Sequence, residues 1–241
     1  MAWTAPRTWV SGETVTAALM NAQIRDNELV LSAVPDLQIF STTGGGTWTK
    51  PTDMKWAVAE GWAGGGSGSS AGGGAGQAVG GGGGGGGYFK KLYAASDLQA
   101  TEALSVGLGG NGTAGDGNPG LTSTFKGCTA NPGTNGQSMN SSTGSALSSG
   151  GGGGSATGGD ENLTGDDGGK GRVFAGVADF SNVGGASPRG GGRSTFLSSS
   201  AGIGTAGKVP GGGGSGSFAG GTGFNGPSGG NGRIIVTSYY S

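Results

Sequence analysis

Apolar residues fall at alternating spacings of three and four near the N-terminus: Ala17, Met20, Ile24, Asn27, Leu31 and Val34, with Asn27 the one polar member. This is the a/d seam of nearly three heptads, and it predicts a helix capped by Ser11 or Thr14, with Glu13 in its first turn and Pro35 at its end. Two arrangements bury such a seam: an amphipathic helix packed on its own domain, or a short coiled coil whose Asn sets register and copy number. Beyond it the periodicity changes to two. LQIFST (37–42) and TWTK (47–50) flank Gly44, Gly45 and Gly46 and read as a hairpin. MKWAVAEGW (54–62) places Met54, Trp56, Val58, Glu60 and Trp62 on one face and Lys55, Ala57, Ala59 and Gly61 on the other. The large face is expected to form the core, with Trp56 and Trp62 in it. YFKKLYA (88–94), ALSVGLG (103–109), STFKGC (123–128) and GRIIVTSYY (232–240) continue the β character.

Glycine changes this picture. Of the 64 glycines, most lie between residues 64 and 233, and eight are consecutive, Gly80 to Gly87. Leu, Ile, Val and Phe make up roughly 15% of the chain, below the level of an ordinary core. Composition alone points to disorder, but a net charge of −1 supplies no self-repulsion to hold the chain open. Collagen is excluded because glycine does not recur at every third position. The remaining ordered option is glycine in the extended, left-handed, three-per-turn polyproline II conformation, whose backbone groups point sideways and bond between neighbouring segments. Segments 64–87, 107–120, 150–159, 184–192, 202–216 and 219–232 supply candidates. The expected fold is mainly β and irregular: a short N-terminal coiled-coil helix (1–36), then a small β frame around packed polyglycine II helices (37–241).

Charge balance argues against an electrostatic grip on nucleic acid. The absence of histidine removes the commonest general base and metal ligand. The lone Cys128 forms no disulfide framework and is read as a small buried residue. MAWTAPRTWV has no signal-peptide pattern, and no apolar run reaches membrane-spanning length, so synthesis in a cytoplasm and no membrane insertion are expected.

GIGTAGK (202–208) mimics a phosphate loop, but at one-third glycine such matches arise by chance at roughly one position in 27. Val209 and Pro210 also deny it the Ser/Thr and the helix that a phosphate site needs. Asp160, Glu161, Asp166 and Asp167 lack EF-hand spacing and read as a solvated acidic loop rather than a cation site or a glycosidase pair. Catalysis, cofactors and metals are therefore not expected. The island 172–196 contains Phe174, Phe180, Arg189, Arg193 and Phe196, residue types that dominate interfaces. It is either a contact patch or gap-filling phenylalanines with solvated arginines.

WTAPRTWVSGETVTAALMNAQIRDNEL resembles the N-terminal attachment segment of bacteriophage minor tail proteins and tail fibres, notably of phages infecting actinobacteria. TWTKP, WAGGGSG, GGGGYFKK, LGGNGTAG and GGNGRIIV resemble the glycine-rich, adhesin-like domain that ends such proteins. The resemblance implies a virion protein: a homotrimer attached to other phage tail proteins through residues 1–36. Its glycine-rich end would project toward a host cell-surface receptor, glycans being one class. A purely structural tail-tip cap or spacer is the alternative.

Overall fold

The computed structural model describes residues 8, 10–21, 24, 34–140, 143–179, 182–195 and 201–240. The chain is mainly β with very little helix. The helical turn α1 (Ala17–Met20) is capped by Thr16, whose Oγ1 accepts from the Leu19 N–H at 3.2 Å, rather than by Ser11 or Thr14. Within α1 no residue is buried, so this turn is not packed on its own domain.

In chain order the strands are β1 (Asp36–Phe40), β2 (Gly44–Thr49), β3 (Trp56–Trp62), β4 (Gln77–Val79), β5 (Tyr88–Ala94), β6 (Thr101–Val106), β7 (Ser123–Phe125) and β8 (Cys128–Ala130). They continue with β9 (Ala146–Ser148), β10 (Ala156–Thr157), β11 (Glu161–Leu163), β12 (Gly171–Phe174), β13 (Val177–Asp179), β14 (Phe218–Gly220) and β15 (Arg233–Tyr239). Two antiparallel five-stranded sheets, ordered β1-β15-β3-β5-β11 and β10-β8-β7-β6-β2, face each other. Trp48, Phe89, Phe125, Ile234 and Val236 fill the space between them. Trp48 and Tyr93 both meet the Phe125 ring edge-on, at 6.0 and 5.8 Å.

Two expectations are corrected here. The segments around Gly44–Gly46 do not form a hairpin: β1 pairs with β15 and β2 with β6, so the chain changes sheets between them. The long strand β15, placed by the end of the chain, takes β1 as its outer neighbour. The core face of β3 is also the small one. Ala57, Ala59 and Gly61 point inward because the Phe89 ring lies over Gly61, where a Cβ would come within 2.3 Å of it. Trp56 instead stacks on Tyr239 on the outer face, with centroids 3.8 Å apart. Trp62 is buried, but outside the inter-sheet core, and its Nε1 donates to the Pro188 carbonyl at 2.8 Å.

Glycine forms a second core. Residues 61–71, 78–89 and 210–219 are buried throughout. Along the eight-glycine run successive N–H groups address different neighbours with a period of three. Gly80, Gly83 and Gly86 donate to the carbonyls of Ser217, Gly214 and Gly211; Gly81, Gly84 and Gly87 to those of Gln137, Thr134 and Asn131; Gly82 and Gly85 to those of Gly169 and Asp166. These bonds measure 2.8 to 3.0 Å. The run's carbonyls accept from three further segments: Ser69, Gly66 and Ala63 on one side, Gly151 and Gly154 on another, and Gly185 with the Ser187 hydroxyl on a third. Six segments thus enclose one, and its buried backbone groups are satisfied laterally.

Residues 63–71 repeat the pattern, donating in threes to 81–87, 115–121 and 224–230. Glycine is required by approach rather than by dihedral angle. A Cβ on Gly68 would lie 1.8 Å from the Ser215 carbonyl oxygen, and one on Gly81 2.0 Å from that of Ser149. Where the lattice does carry a side chain, serine hydroxyls act as extra backbone partners. Ser67 Oγ accepts from the Asn118 N–H at 2.7 Å, and Ser69 Oγ donates to the Gln137 carbonyl at 2.6 Å.

Candidate functional site

The glycine segments run between the sandwich and a second cluster of short strands, so the molecule has two ends. Residues 63–71 leave β3 and turn back through β4; 80–87 then return to β5. At the far end β4 pairs with β14, β12 lies between β9 and β13, and Ala71 bridges to Met139 and Phe224. Val79, Met139, Val173, Ala178 and Phe218 form a small apolar cluster beneath this tip.

The β13-β12-β9 sheet is two-faced. Ala146, Val173 and Ala178 point into the cluster, while Leu147, Phe174 and Val177 point out and are 61%, 61% and 62% exposed. The β12–β13 turn, Ala175-Gly176, has both residues at positive φ, 49° and 74°, the primed hairpin turn that suits strand twist. Arg172 lies 5.7 Å from the Phe174 ring centroid, giving the patch one cation on an apolar surface. The same end of the molecule holds a notch of about 380 Å³, lined by Ala71, Gly115, Ser138, Met139, Asn140 and Phe224 among others. Asp116 borders this region. The Ser138 N–H and hydroxyl, at 2.7 and 2.8 Å, hold its carboxyl below the usual aspartate range. The tip therefore offers shape, apolar area and hydrogen-bonding groups.

The sequence-predicted contact residues are not gathered in one place. Phe174 is at the tip. Arg189 lies beside the sandwich, with φ 52°, 2.7 Å from Glu161 Oε1 and 5.6 Å from the Tyr88 ring centroid. The whole eight-glycine run separates β4 from Tyr88, and Phe174 from Arg189 with it. Arg193 pairs with Asp166 at 3.2 Å on the lattice flank. Phe180 and Phe196 lie outside the described residues. Of the N-terminal seam, Ala17, Met20, Ile24 and Val34 are exposed, and Asn27 and Leu31 lie outside the described residues.

The acidic loop is dispersed among separate partners. Asp160 accepts from the Leu92 N–H at 2.9 Å, and Asp167 accepts from the Gly153 N–H at 2.8 Å. GIGTAGK forms a peripheral lattice segment, with the Gly207 N–H donating to the Ser228 carbonyl at 2.8 Å. Cys128 is buried against the Tyr93 hydroxyl at 3.2 Å, and burial pushes its thiol pKa up.

Leu147 and Val177 were missed at the sequence level. A two-residue turn between V-F and V-A pairs is a hairpin signal, but Ala175 stood where Asn, Asp or Gly would have announced it. No protein-family model matches the chain, and the search of curated proteins found no match.

Proposed function

We propose that the chain is a component of a bacteriophage tail, at the tail tip or the end of a tail fibre, that contacts or recognises the host surface by binding and without catalysis. One observation carries the reading: the exposed Leu147–Phe174–Val177 surface and the notch lie at the end of the molecule away from the sandwich. A protein built to hold a small recognition surface away from its attachment point needs a stiff spacer, and laterally bonded glycine segments supply one.

In this reading the segments are polyglycine II helices. The three-residue period of their hydrogen bonds and the enclosure of one segment by six support that conformation. The N-terminal seam forms a trimeric coiled coil that joins other tail proteins through residues 1–36. The exposure of Met20 (42%), Ile24 (51%) and Val34 (82%) supports an intermolecular role for it. Three copies multiply weak single contacts with a receptor, glycans being one class, into durable adsorption.

The alternative, a structural cap or spacer, draws on Arg189 and Arg193, whose charges are met within the chain by Glu161 and Asp166. Binding of the labelled full chain to a panel of candidate bacterial hosts, actinobacteria first, decides between them. Saturable binding that blocks phage adsorption and falls at least about tenfold with Leu147→Ser/Phe174→Ala supports recognition. No binding by a folded, assembled chain assigns the protein to the structural role. Ile24→Asp is expected to abolish trimerisation, and an unchanged assembly would refute the seam.

A further inference from the structure

Asparagine followed by glycine is the asparagine dipeptide most prone to deamidation, because glycine has no Cβ to shield its amide nitrogen from the neighbouring carboxamide. The chain holds four such pairs: Asn111-Gly112, Asn135-Gly136, Asn225-Gly226 and Asn231-Gly232. Their intrinsic chemistry is alike, so the fold decides which of them reacts. Ring closure needs two freedoms. The glycine N–H must leave its acceptor, and the asparagine side chain must swing over its own peptide link.

The lattice withholds both freedoms from two of the pairs. Gly136 donates to the Ser67 carbonyl at 3.0 Å and Gly232 to the Gly107 carbonyl at 2.8 Å, and both glycines are buried. Their carboxamides are engaged as well: Asn135 Nδ2 donates to the Gly136 carbonyl at 3.2 Å, and Asn231 Oδ1 accepts from the Gly109 N–H at 3.0 Å. Asn225 is exposed, but Gly226 is buried and its N–H is held by the Thr113 carbonyl at 3.1 Å. Asn111 differs on each count. It is exposed, and Gly112 is only half-buried. The Gly112 N–H meets no carbonyl but the hydroxyl of exposed Ser228, at 3.3 Å, just beyond the usual range of about 2.7–3.2 Å. Local opening there costs the least of the four.

We infer that Asn111 is a site of spontaneous deamidation in the folded chain. The Gly112 nitrogen bonds to Asn111 Cγ and the Cγ–Nδ2 bond breaks. The amide proton passes through solvent to the departing nitrogen, which leaves as ammonia. Water then opens the cyclic imide. Cleavage of the new Cγ–N bond gives aspartate on an unchanged main chain; cleavage of the backbone C–N bond gives isoaspartate, whose main chain runs through Cβ and Cγ. Either product carries a new carboxylate. The longer link does not fit, since even a Cβ on Gly112 would lie 1.9 Å from the Gly226 carbonyl oxygen. The displacement falls on Ala114 and Gly115, which wall the notch, and on the 2.8 Å bond from the Gly115 N–H to Ser70 Oγ. This chemistry does not rest on the tail function.

The test ages the full chain in mildly alkaline buffer, its fold followed by near-ultraviolet circular dichroism, beside the same chain unfolded in urea. Peptide mapping by mass spectrometry follows each asparagine, and the mass gain of deamidation separates it from isomerisation at Asp116. The expected result is conversion of folded Asn111 at least about tenfold faster than of Asn135 and Asn231, and faster than of Asn225, with comparable rates for all four in urea. Asn111→Gln is expected to remove the fast phase of ammonia release. Three results overturn the inference: folded Asn111 converting no faster than the lattice pairs, Asn225 converting first, or fast ammonia release persisting in Asn111→Gln.

Discussion

Replacing one lattice glycine by alanine tests the idea that close approach, and not chain flexibility, dictates glycine here. Gly83→Ala places a methyl 2.3 Å from the Gly66 carbonyl oxygen and 2.5 Å from its carbon. Ordinary contact needs about 3.5 Å, so the two segments must separate by roughly 1 Å. Neither is free to do so. Gly83 donates to Gly214 and accepts from Gly185, both at 2.8 Å; Gly66 donates to Gly84 at 2.9 Å and accepts from Gly214 at 3.0 Å. A 1 Å displacement carries such bonds beyond hydrogen-bonding reach.

Two buried pairs lost at about 1–3 kcal/mol each cost about 2–6 kcal/mol, a large part of the 5–15 kcal/mol that typically holds a domain together. Gly152→Ala is the matched control. Its methyl would meet only the Thr134 and Asp167 side chains, at 3.6 and 3.8 Å. With less freedom to lose on folding, it should be neutral or stabilise by up to about 1 kcal/mol. Urea unfolding of both variants, followed by tryptophan fluorescence, measures the difference. Equal effects of the two substitutions, or a Gly83→Ala loss below about 0.5 kcal/mol, would refute the steric account.

Two further outcomes follow from the same structure. Ser67→Ala removes the acceptor of the Asn118 N–H, 2.7 Å away, and should cost about 0.5–1.5 kcal/mol in the same unfolding assay. Tyr93 and Tyr88 govern stability at high pH. Burial, then the contact with Cys128, raises the Tyr93 phenol above its ordinary 10.0; burial, then the Glu60 hydrogen bond, raises Tyr88. The folded chain keeps protons that the unfolded chain releases, so this stability is full below pH 10 and declines as pH rises beyond it. Thermal midpoints across that range should fall less steeply for Tyr93→Phe than for the wild type, Tyr88 accounting for the remaining slope. Identical slopes would show that Tyr93 does not contribute.

The sequence by itself determined the long strands of the sandwich but not the short strands at 77–79, 146–148, 156–157, 161–163, 171–174, 177–179 and 218–220, since β-branched and aromatic alternation in 54–62, 88–94 and 232–240 is a local property. It also determined that glycine had to be ordered by lateral bonding, because its irregular spacing excludes collagen and its side chains supply too little apolar surface. Partners and faces were decided only in three dimensions. Period two divides β3 into a large and a small face, but the Phe89 ring of β5, lying over Gly61, selects the small one as the core. A glycine turn between two strands suggests a hairpin, yet β15, nearly two hundred residues away, takes β1 as its partner. The 172–196 island offered one candidate patch, beside the alternative of gap-filling phenylalanines and solvated arginines, because its residues are close in sequence. The lattice runs its segments from end to end, so Phe174 reaches the tip and Arg189 returns to the sandwich. Local chemistry names the elements, whereas contacts between distant segments decide which neighbours they meet and which surfaces stay open.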